Sequence, residues 1–243
     1  MKKMMRLDKI LVNMGYGSRK EVKELVKKGE VKINNEYAKQ ASIKVDAYLD
    51  IIEVRGEVLE YREFIYLMLN KPKGYISATE DDYHKTVIEL IDEDYLHFKP
   101  YPVGRLDIDT TGLLILTNDG DLTHKLISPK SGIIKKYHAE IDGRVTEKEI
   151  EIFKNGIYLA EEDYTTLPAK LEILKRGQMS TVHVFIQEGK YHQVKRMFES
   201  VGMKVVELKR LSMGEIELDV DLGEGEYREL NRSEMEWIQK IME

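Results

Sequence analysis

Tyr101-Pro-Val-Gly-Arg105-Leu-Asp107-Ile-Asp109-Thr-Thr-Gly112 runs straight into Leu113-Leu-Ile-Leu116 and then Thr117-Asn-Asp-Gly120. The four apolar residues, bounded by Gly112 and by Asn118-Asp-Gly120, read as a short buried strand. The polar positions just ahead of it, Arg105, Asp107, Asp109, Thr110 and Thr111, cannot all be core. A polar loop leading into a buried strand is held rigidly at one end and is open to a ligand at the other, which suits catalysis. Arg105 and Asp107 are two apart, so an extended backbone would turn both to one side. This loop is the candidate active site. Taken alone, Arg-x-Asp is also a common structural salt bridge. Asp107-Ile-Asp109-Thr-Thr111 also fits the Asp-x-Asp-x-Thr spelling of aspartyl-phosphate phosphatases, but there the motif follows a buried strand, whereas here the strand follows the motif.

Outward from the loop, Phe64-Ile-Tyr-Leu-Met-Leu69 predicts another buried strand, stopped by Asn70-Lys-Pro-Lys-Gly74. Thr86 can cap a helix carrying Val87, Leu90 and Ile91, and Asp121 to Ile127 reads as a helix ending at Ser128-Pro129. Lys135 to Ile141 alternates as a strand, and Thr146-Glu-Lys-Glu149 is a capping box for a helix reaching Lys154. Strands follow near 170–174 and 181–187, then a basic helix near 192–201, strands at 204–211 and 216–218, and a final amphipathic helix from Ser233. Helices and strands mix without strict alternation, which predicts an α+β fold with a largely antiparallel sheet rather than a doubly wound one.

The N-terminal stretch has a different character. Leu7, Ile10, Leu11 and Met14 fall at helical spacing, closed by Gly15-Tyr-Gly17. Ser18-Arg-Lys-Glu21 is a capping box for a second helix with Val22, Leu25 and Val26 as its buried stripe, and Gly29 ends it. Val31 and Ile33 alternate as a strand, Asn34-Asn35 makes a turn, and 51–54 is another strand. Residues 1–60 therefore read as a small domain, 58–63 as a linker, and 64–243 as a larger domain. The net charge of −6 conceals an asymmetry: residues 1–44 hold twelve Lys or Arg against five Asp or Glu, a local +7. A basic module on an acidic body points toward nucleic acid.

Composition removes other classes. With 42% hydrophobic and 34% charged residues the chain reads as globular. The absence of cysteine excludes disulfides, thiolate catalysis and thiolate metal sites. No apolar run approaches a membrane span and the N-terminus lacks a signal-peptide core, so the expected location is the cytoplasm, with no membrane partner. The six histidines show no metal-ligand spacing, and neither a P-loop nor Gly-x-Gly-x-x-Gly is present, so no metal and no cofactor are expected.

Two further patches carry chemistry. On a strand, Tyr137 points away from both Lys136 and His138. In Glu188-Gly-Lys190-Tyr-His192-Gln193-Val-Lys195-Arg196-Met-Phe198, Val194, Met197, Phe198 and Val201 sit at helical spacing. Gln193, Lys195 and Arg196 are then left on polar or intermediate faces. A helix start so rich in cations suits a phosphate or a buried carboxylate.

The N-terminal pattern, from Arg6-Leu-Asp8-Lys9 through Ser18-Arg19 and Gly29 to Val31-Lys-Ile-Asn34, resembles the S4 RNA-binding module. That likeness implies that Arg6, Lys9, Ser18, Arg19 and Lys20 meet phosphates of folded RNA, contacts that add affinity but specify little sequence. The ordered series of S4 module, Leu69-Asn-Lys-Pro-Lys-Gly74, Gly104-Arg-Leu-Asp-Ile-Asp-Thr-Thr-Gly-Leu113, Lys136-Tyr137 and the 188–198 motif resembles the ribosomal pseudouridine synthases. Asp-Ile-Asp-Thr-Thr-Gly and Gly-Lys-Tyr-His-Gln-Val-Lys-Arg-Met-Phe are closest to their small-subunit (16S) branch, that of pseudouridine synthase A.

The resemblance implies cofactor-free isomerisation of a flipped-out uridine in ribosomal RNA or an assembling small subunit, by a monomer. Asp107 would be the nucleophile or stabiliser at the sugar, Lys195 its basic partner, and Tyr137 the residue packed on the base and a candidate to take the C5 proton. Arg105 would hold or displace the nucleotide. Lys190, His192, Gln193 and Arg196 would contact RNA. Where the family often has Arg in Gly-Arg-x-His-Gln this chain has Lys190, a departure that bears on a phosphate contact and not on the chemistry. A large-subunit (23S) target is the alternative within the class, and a non-catalytic ribosome-associated S4 protein the alternative outside it. By this reading Asp109, Thr110 and Thr111 are loop scaffolding.

Overall fold

The computed structural model describes residues 4–160 and 163–243, and the chain forms two compact units. The smaller takes the residues up to Ile65 together with Glu93–Lys99, and the larger is Tyr66–Asp92 with Pro100–Glu243. The expected boundary near residue 60 thus moves to Ile65. The reason is local: Tyr61 is buried in the smaller unit's core, its hydroxyl 3.6 Å from the Met5 sulfur. The stretch read as a linker is partly core.

In the smaller unit, helices Leu7–Asn13 and Arg19–Lys27 pack their predicted stripes, Leu7, Ile10, Leu11, Val22, Leu25 and Val26, against Val31, Val45, Ile52 and Val54. Ser18 and Glu21 close the capping box, the Ser18 amide donating to Glu21 Oε2 at 2.7 Å. Asn34 and Asn35, at φ 50° and 69°, form the tight turn between Val31–Ile33 and Glu36–Tyr37; asparagine tolerates this left-handed backbone better than most residues. Asp8 is buried, and the exposed Arg6 forks onto it at 2.9 and 2.6 Å, holding its carboxyl below the usual carboxylate range.

The larger unit is built on a nine-stranded sheet. Its strands run in the order Lys170–Lys175, Met179–Ile186, Lys135–Asp142, Lys204–Met213, Thr111–Thr117, Tyr66–Lys71, Tyr227–Glu229. Two-residue strands add Tyr101–Pro102 to 111–117 and Ile216–Glu217 to 204–213. Every pairing in this sheet is antiparallel except that of 111–117 with 204–213, so the expected α+β class with a largely antiparallel sheet is what the chain adopts. All seven residues of 111–117 are buried. Leu113 and Ile115 face the helices Gly120–Ile127 and Arg232–Met242 through Leu122, Leu126, Trp237 and Ile238.

The helix expected after Thr86 is a single 3-10 turn, Val87–Leu90, because Ile91 already returns to extended backbone; the Thr86 amide donates to Glu89 at 2.7 Å. The Thr146 capping box and the helix Glu147–Lys154 form as predicted.

The parallel contact depends on one residue without a side chain. Gly112 pairs with Arg210 at φ 98°, and a Cβ there would lie 2.3 Å from the Arg210 carbonyl oxygen. Backbone cannot move aside as a flexible side chain can. Gly112→Ala is therefore expected to lower urea stability by about 3 kcal/mol or more. Gly132→Ala, also left-handed but with nothing within 4 Å, should cost about 1 kcal/mol. Equal losses in the two variants would show that strain, not the close approach, governs Gly112.

Candidate active site

The polar loop is pinned from several sides. The Val103 amide donates to the Ile115 carbonyl at 2.8 Å, Gly74 N to Ile108 O at 2.8 Å, and the Ser77 hydroxyl accepts from Leu106 N at 2.9 Å while donating to Leu106 O at 3.0 Å. Leu106 is buried, so the residues on either side of it, Arg105 and Asp107, are turned toward solvent. Beneath the loop lies Lys71, fully buried at the end of its strand. Its ammonium donates to the carbonyls of Pro72, Asp107 and Thr110 at 3.1, 3.0 and 2.9 Å. Burial pushes its pKa down to about 8, partly offset by Asp109 and Asp107, so at pH 7 it remains charged and its three N–H groups meet three acceptors.

Asp107 emerges above this base. Its Oδ2 lies 2.9 Å from Lys195 Nζ and its Oδ1 3.5 Å from His192 Nε2. Lys195 is shared: Asp109 Oδ1 is 2.6 Å from the same nitrogen. Burial alone would lower the Lys195 pKa, but its bonds to Asp109 and Asp107 outweigh that and hold it raised. For Asp109, burial would raise the carboxyl's pKa, and the Lys195 bond leads the contributions that overcome it and keep it lowered. Lys195 and Asp109 are thus held in their charged forms. A cavity of about 1090 Å³ opens over them, lined by Arg105, Asp107, Asp109, Tyr191, His192 and Lys195. Tyr137, only 7% exposed, lines a smaller inner recess with Asp107, Thr110, His192 and Val194. A carboxylate with a cation beside it, a buried tyrosine in the recess and an exposed arginine on the cavity wall can attack or stabilise an electron-poor carbon next to a flat ring.

The family model of RNA pseudouridylate synthase matches residues 65–200, and that of the S4 domain matches residues 5–48. The chain belongs to the RNA pseudouridylate synthase family. It is 50% identical to an RNA pseudouridine synthase of Bacillus subtilis (strain 168) over 232 residues, 95% of this chain and 97% of that one. Ribosomal small subunit pseudouridine synthase A of Escherichia coli (strain K12) is 38% identical over 95% of this chain and 98% of its own. A crystal structure of a pseudouridylate synthase is 40% identical, covers 96% of this chain and 99% of its own, and superimposes with a TM-score of 0.67.

In this synthase, Arg105, Asp107 and His192 line both the recess and the larger cavity, Tyr137 only the recess and Lys195 only the larger cavity. Gln193 is turned into the protein and lines the recess only in part. It is 3% exposed, its Nε2 donating to Glu188 Oε1 at 2.7 Å and its Oε1 accepting from Lys190 N at 2.9 Å. The buried Glu188 also accepts from Leu167 N at 2.8 Å and from the Tyr164 hydroxyl, so a satisfied carboxylate anchors the turn. His192 opens the Gln193–Glu199 helix in left-handed backbone, φ 47°, which reverses the chain and sends the Gln193 side chain inward. Lys190 is exposed above the Tyr164 ring at 4.6 Å, and Arg196 is half-buried, its Nη1 3.4 Å from Tyr191 O. In the S4 domain Lys9, Arg19 and Lys20 are exposed, whereas Arg6 is committed to Asp8 and the Ser18 hydroxyl to its helix cap.

Two functional-site residues escaped the sequence reading. In the sequence Lys71 reads only as part of the Asn70-Lys-Pro-Lys-Gly74 stop and motif, whereas the strand runs on to include it. Asp109 was taken as scaffolding, although an acidic residue two positions from Asp107 is a natural competitor for one cation.

Lys71 gives a pH signature. Its folded pKa, about 8, lies below the ordinary lysine value near 10.4, so the unfolded chain binds more protons between those values and stability rises with pH across that window. Relative to Lys71→Met, the wild type should gain up to about 3 kcal/mol in urea titrations between pH 7.5 and 10.5. A pH-independent difference would show that Lys71 does not titrate in the folded state.

Proposed function

We propose that this synthase converts one uridine of small-subunit (16S) ribosomal RNA to pseudouridine without a cofactor, acting as a monomer in the cytoplasm. The observation that carries the reading is the Asp107 carboxylate, 2.9 Å from Lys195 at the base of a cavity shared with Arg105, with Tyr137 beside it in the recess.

The chemistry follows from the substrate. In duplex or stacked RNA the reacting atoms are shielded, so the nucleotide is flipped out at a cost on the order of a few kcal/mol. Contacts from the S4 domain offset that cost, with Lys9, Arg19 and Lys20 as its exposed cations. Arg105, at the cavity mouth, holds the flipped nucleotide. Asp107, with the Lys195 ammonium 2.9 Å away, attacks or stabilises the ribose as its bond to N1 breaks. Uracil departs as a delocalised anion, so no second carboxylic acid is needed to protonate it, unlike a glycosidase pair. The ring turns against Tyr137, C5 bonds to the sugar, the C5 proton is lost to a base for which Tyr137 is the candidate, and N1 recovers a proton.

The small-subunit target rests on the spelling of the 107–112 and 189–198 motifs and on relatives named for that subunit. Ribosomal large subunit pseudouridine synthase B of Bacillus subtilis (strain 168), 38% identical over 98% of this chain, supports a large-subunit target as the second reading. Pseudouridine mapping of both ribosomal RNAs from cells lacking the protein decides between them: one site should vanish from 16S RNA, and a site vanishing only from 23S RNA would transfer the assignment.

Asp107→Asn is expected to abolish pseudouridine formation while RNA binding persists; full turnover by this variant would end the mechanism. Lys195→Ala should lower kcat on the order of 100-fold with a smaller change in affinity. An unchanged kcat would remove Lys195 from the reaction.

A further inference from the structure

The aromatic pair at the cavity rim has no role in the mechanism above. Tyr191 is 73% exposed, and its ring stacks on His192 at 3.8 Å with the planes 19° apart. One face of Tyr191 is therefore occupied and the other is open. His192 bridges two levels of the site: it lines both the inner recess with Tyr137 and Asp107 and the outer cavity, whereas Tyr191 lines only the outer one. The turn carrying the pair is fixed, because Gln193 N donates to Lys190 O at 3.1 Å, Lys190 N donates to Gln193 Oε1 at 2.9 Å, and Gln193 is tied to buried Glu188 at 2.7 Å. An exposed aromatic on a rigid turn loses little freedom when a flat ring covers it.

We propose that Tyr191 is a stacking platform for an unpaired base flanking the target uridine, so that the site holds two nucleotides: the reacting one in the recess beside Tyr137, and a neighbour on the Tyr191–His192 stack. This rests on the reading of Asp107 and Tyr137 given above. A nucleobase is the occupant that fits the surroundings. The exposed ring is flat and aromatic, and Lys190 and Arg105 line the same cavity with charge for the connecting phosphates. Base-on-aromatic stacking is also the usual way single-stranded RNA is held once it leaves a helix. The tie to His192 gives the platform a second consequence. A base covering Tyr191 steadies the imidazole whose Nε2 is 3.5 Å from Asp107, so that engaging the flank orders the group beside the reacting carboxylate.

The test uses the full chain in two assays. With transcribed ribosomal RNA as substrate, Tyr191→Ala and Tyr191→Leu should raise KM on the order of 10-fold or more with kcat within about 3-fold, while Tyr191→Phe and Tyr191→Trp keep the wild-type KM. In the second assay, single-stranded oligouridylate is titrated into the Asp107→Asn protein with and without Tyr191→Ala. The double variant should bind about 10-fold more weakly, a readout that needs no turnover. Leu behaving like Phe would show a greasy contact rather than stacking. A loss in kcat alone would show that Tyr191 only braces His192, and unchanged binding in both assays would overturn the platform. Full turnover by Asp107→Asn would instead overturn the catalytic reading and leave the oligouridylate result to judge Tyr191 by itself.

Discussion

A single buried ammonium fixes the geometry of the site. Lys71 spends all three N–H groups on the carbonyls of Pro72, Asp107 and Thr110, joining the end of the 66–71 strand to both ends of the turn that carries Asp107. An arrangement that broke these bonds would leave a buried charge unpaired, which penalises it. The neighbouring constraint is the absence of a side chain at Gly112, where the 111–117 strand closes onto 204–213. Together they set the loop's height and its direction above the sheet, and the position of the Asp107 carboxylate follows from them.

The electrostatics above the loop are a contest rather than a simple pair. Lys195 has two carboxylates within reach and lies closer to Asp109, at 2.6 Å, than to Asp107, at 2.9 Å. Asp109 is the more exposed, with 61% of its side chain accessible against 24% for Asp107, so water can screen it when the cavity is open. Exclusion of that water by a bound nucleotide would strengthen both attractions. A cation that is shared in the free protein can thus stabilise charge at Asp107 without neutralising it outright, which suits the role proposed for that carboxylate.

Much of this was legible in the chain, and the parts that were not have identifiable causes. Elements with a strong period or a cap were readable: the 135–142 alternation, the capping boxes at Ser18 and Thr146, and the apolar run through Leu116. Elements of two to four residues, such as Tyr75–Ile76, Tyr227–Glu229 and Glu93–Leu96, carry no period of their own and exist because a neighbour holds them. The co-occurrence of Arg105, Asp107, Tyr137 and Lys195 could be inferred from motif order. Which cations were free could not, because Arg6 looks like an RNA contact until Asp8, two residues away and buried, is found to occupy it.

The 188–198 motif shows why residue type alone misassigns roles at a helix start. Helical spacing from Val194 onward separates the buried Val194, Met197 and Phe198 from the half-buried Lys195 and Arg196, of which Lys195 lines the cavity. The same spacing puts Gln193 on a polar or intermediate face, whereas it is buried, since its direction depends on how the chain enters the helix. That entry passes through His192 at φ 47°, a conformation an L-residue adopts only where its surroundings compel it. The compulsion is visible: Glu188 is buried one turn earlier and needs donors, and Gln193 can supply one only by turning inward. The same reversal swings the His192 ring outward over Asp107 and lays Tyr191 flat against it. A structural need for one buried carboxylate's hydrogen bonds thereby places two aromatic rings at the mouth of the site.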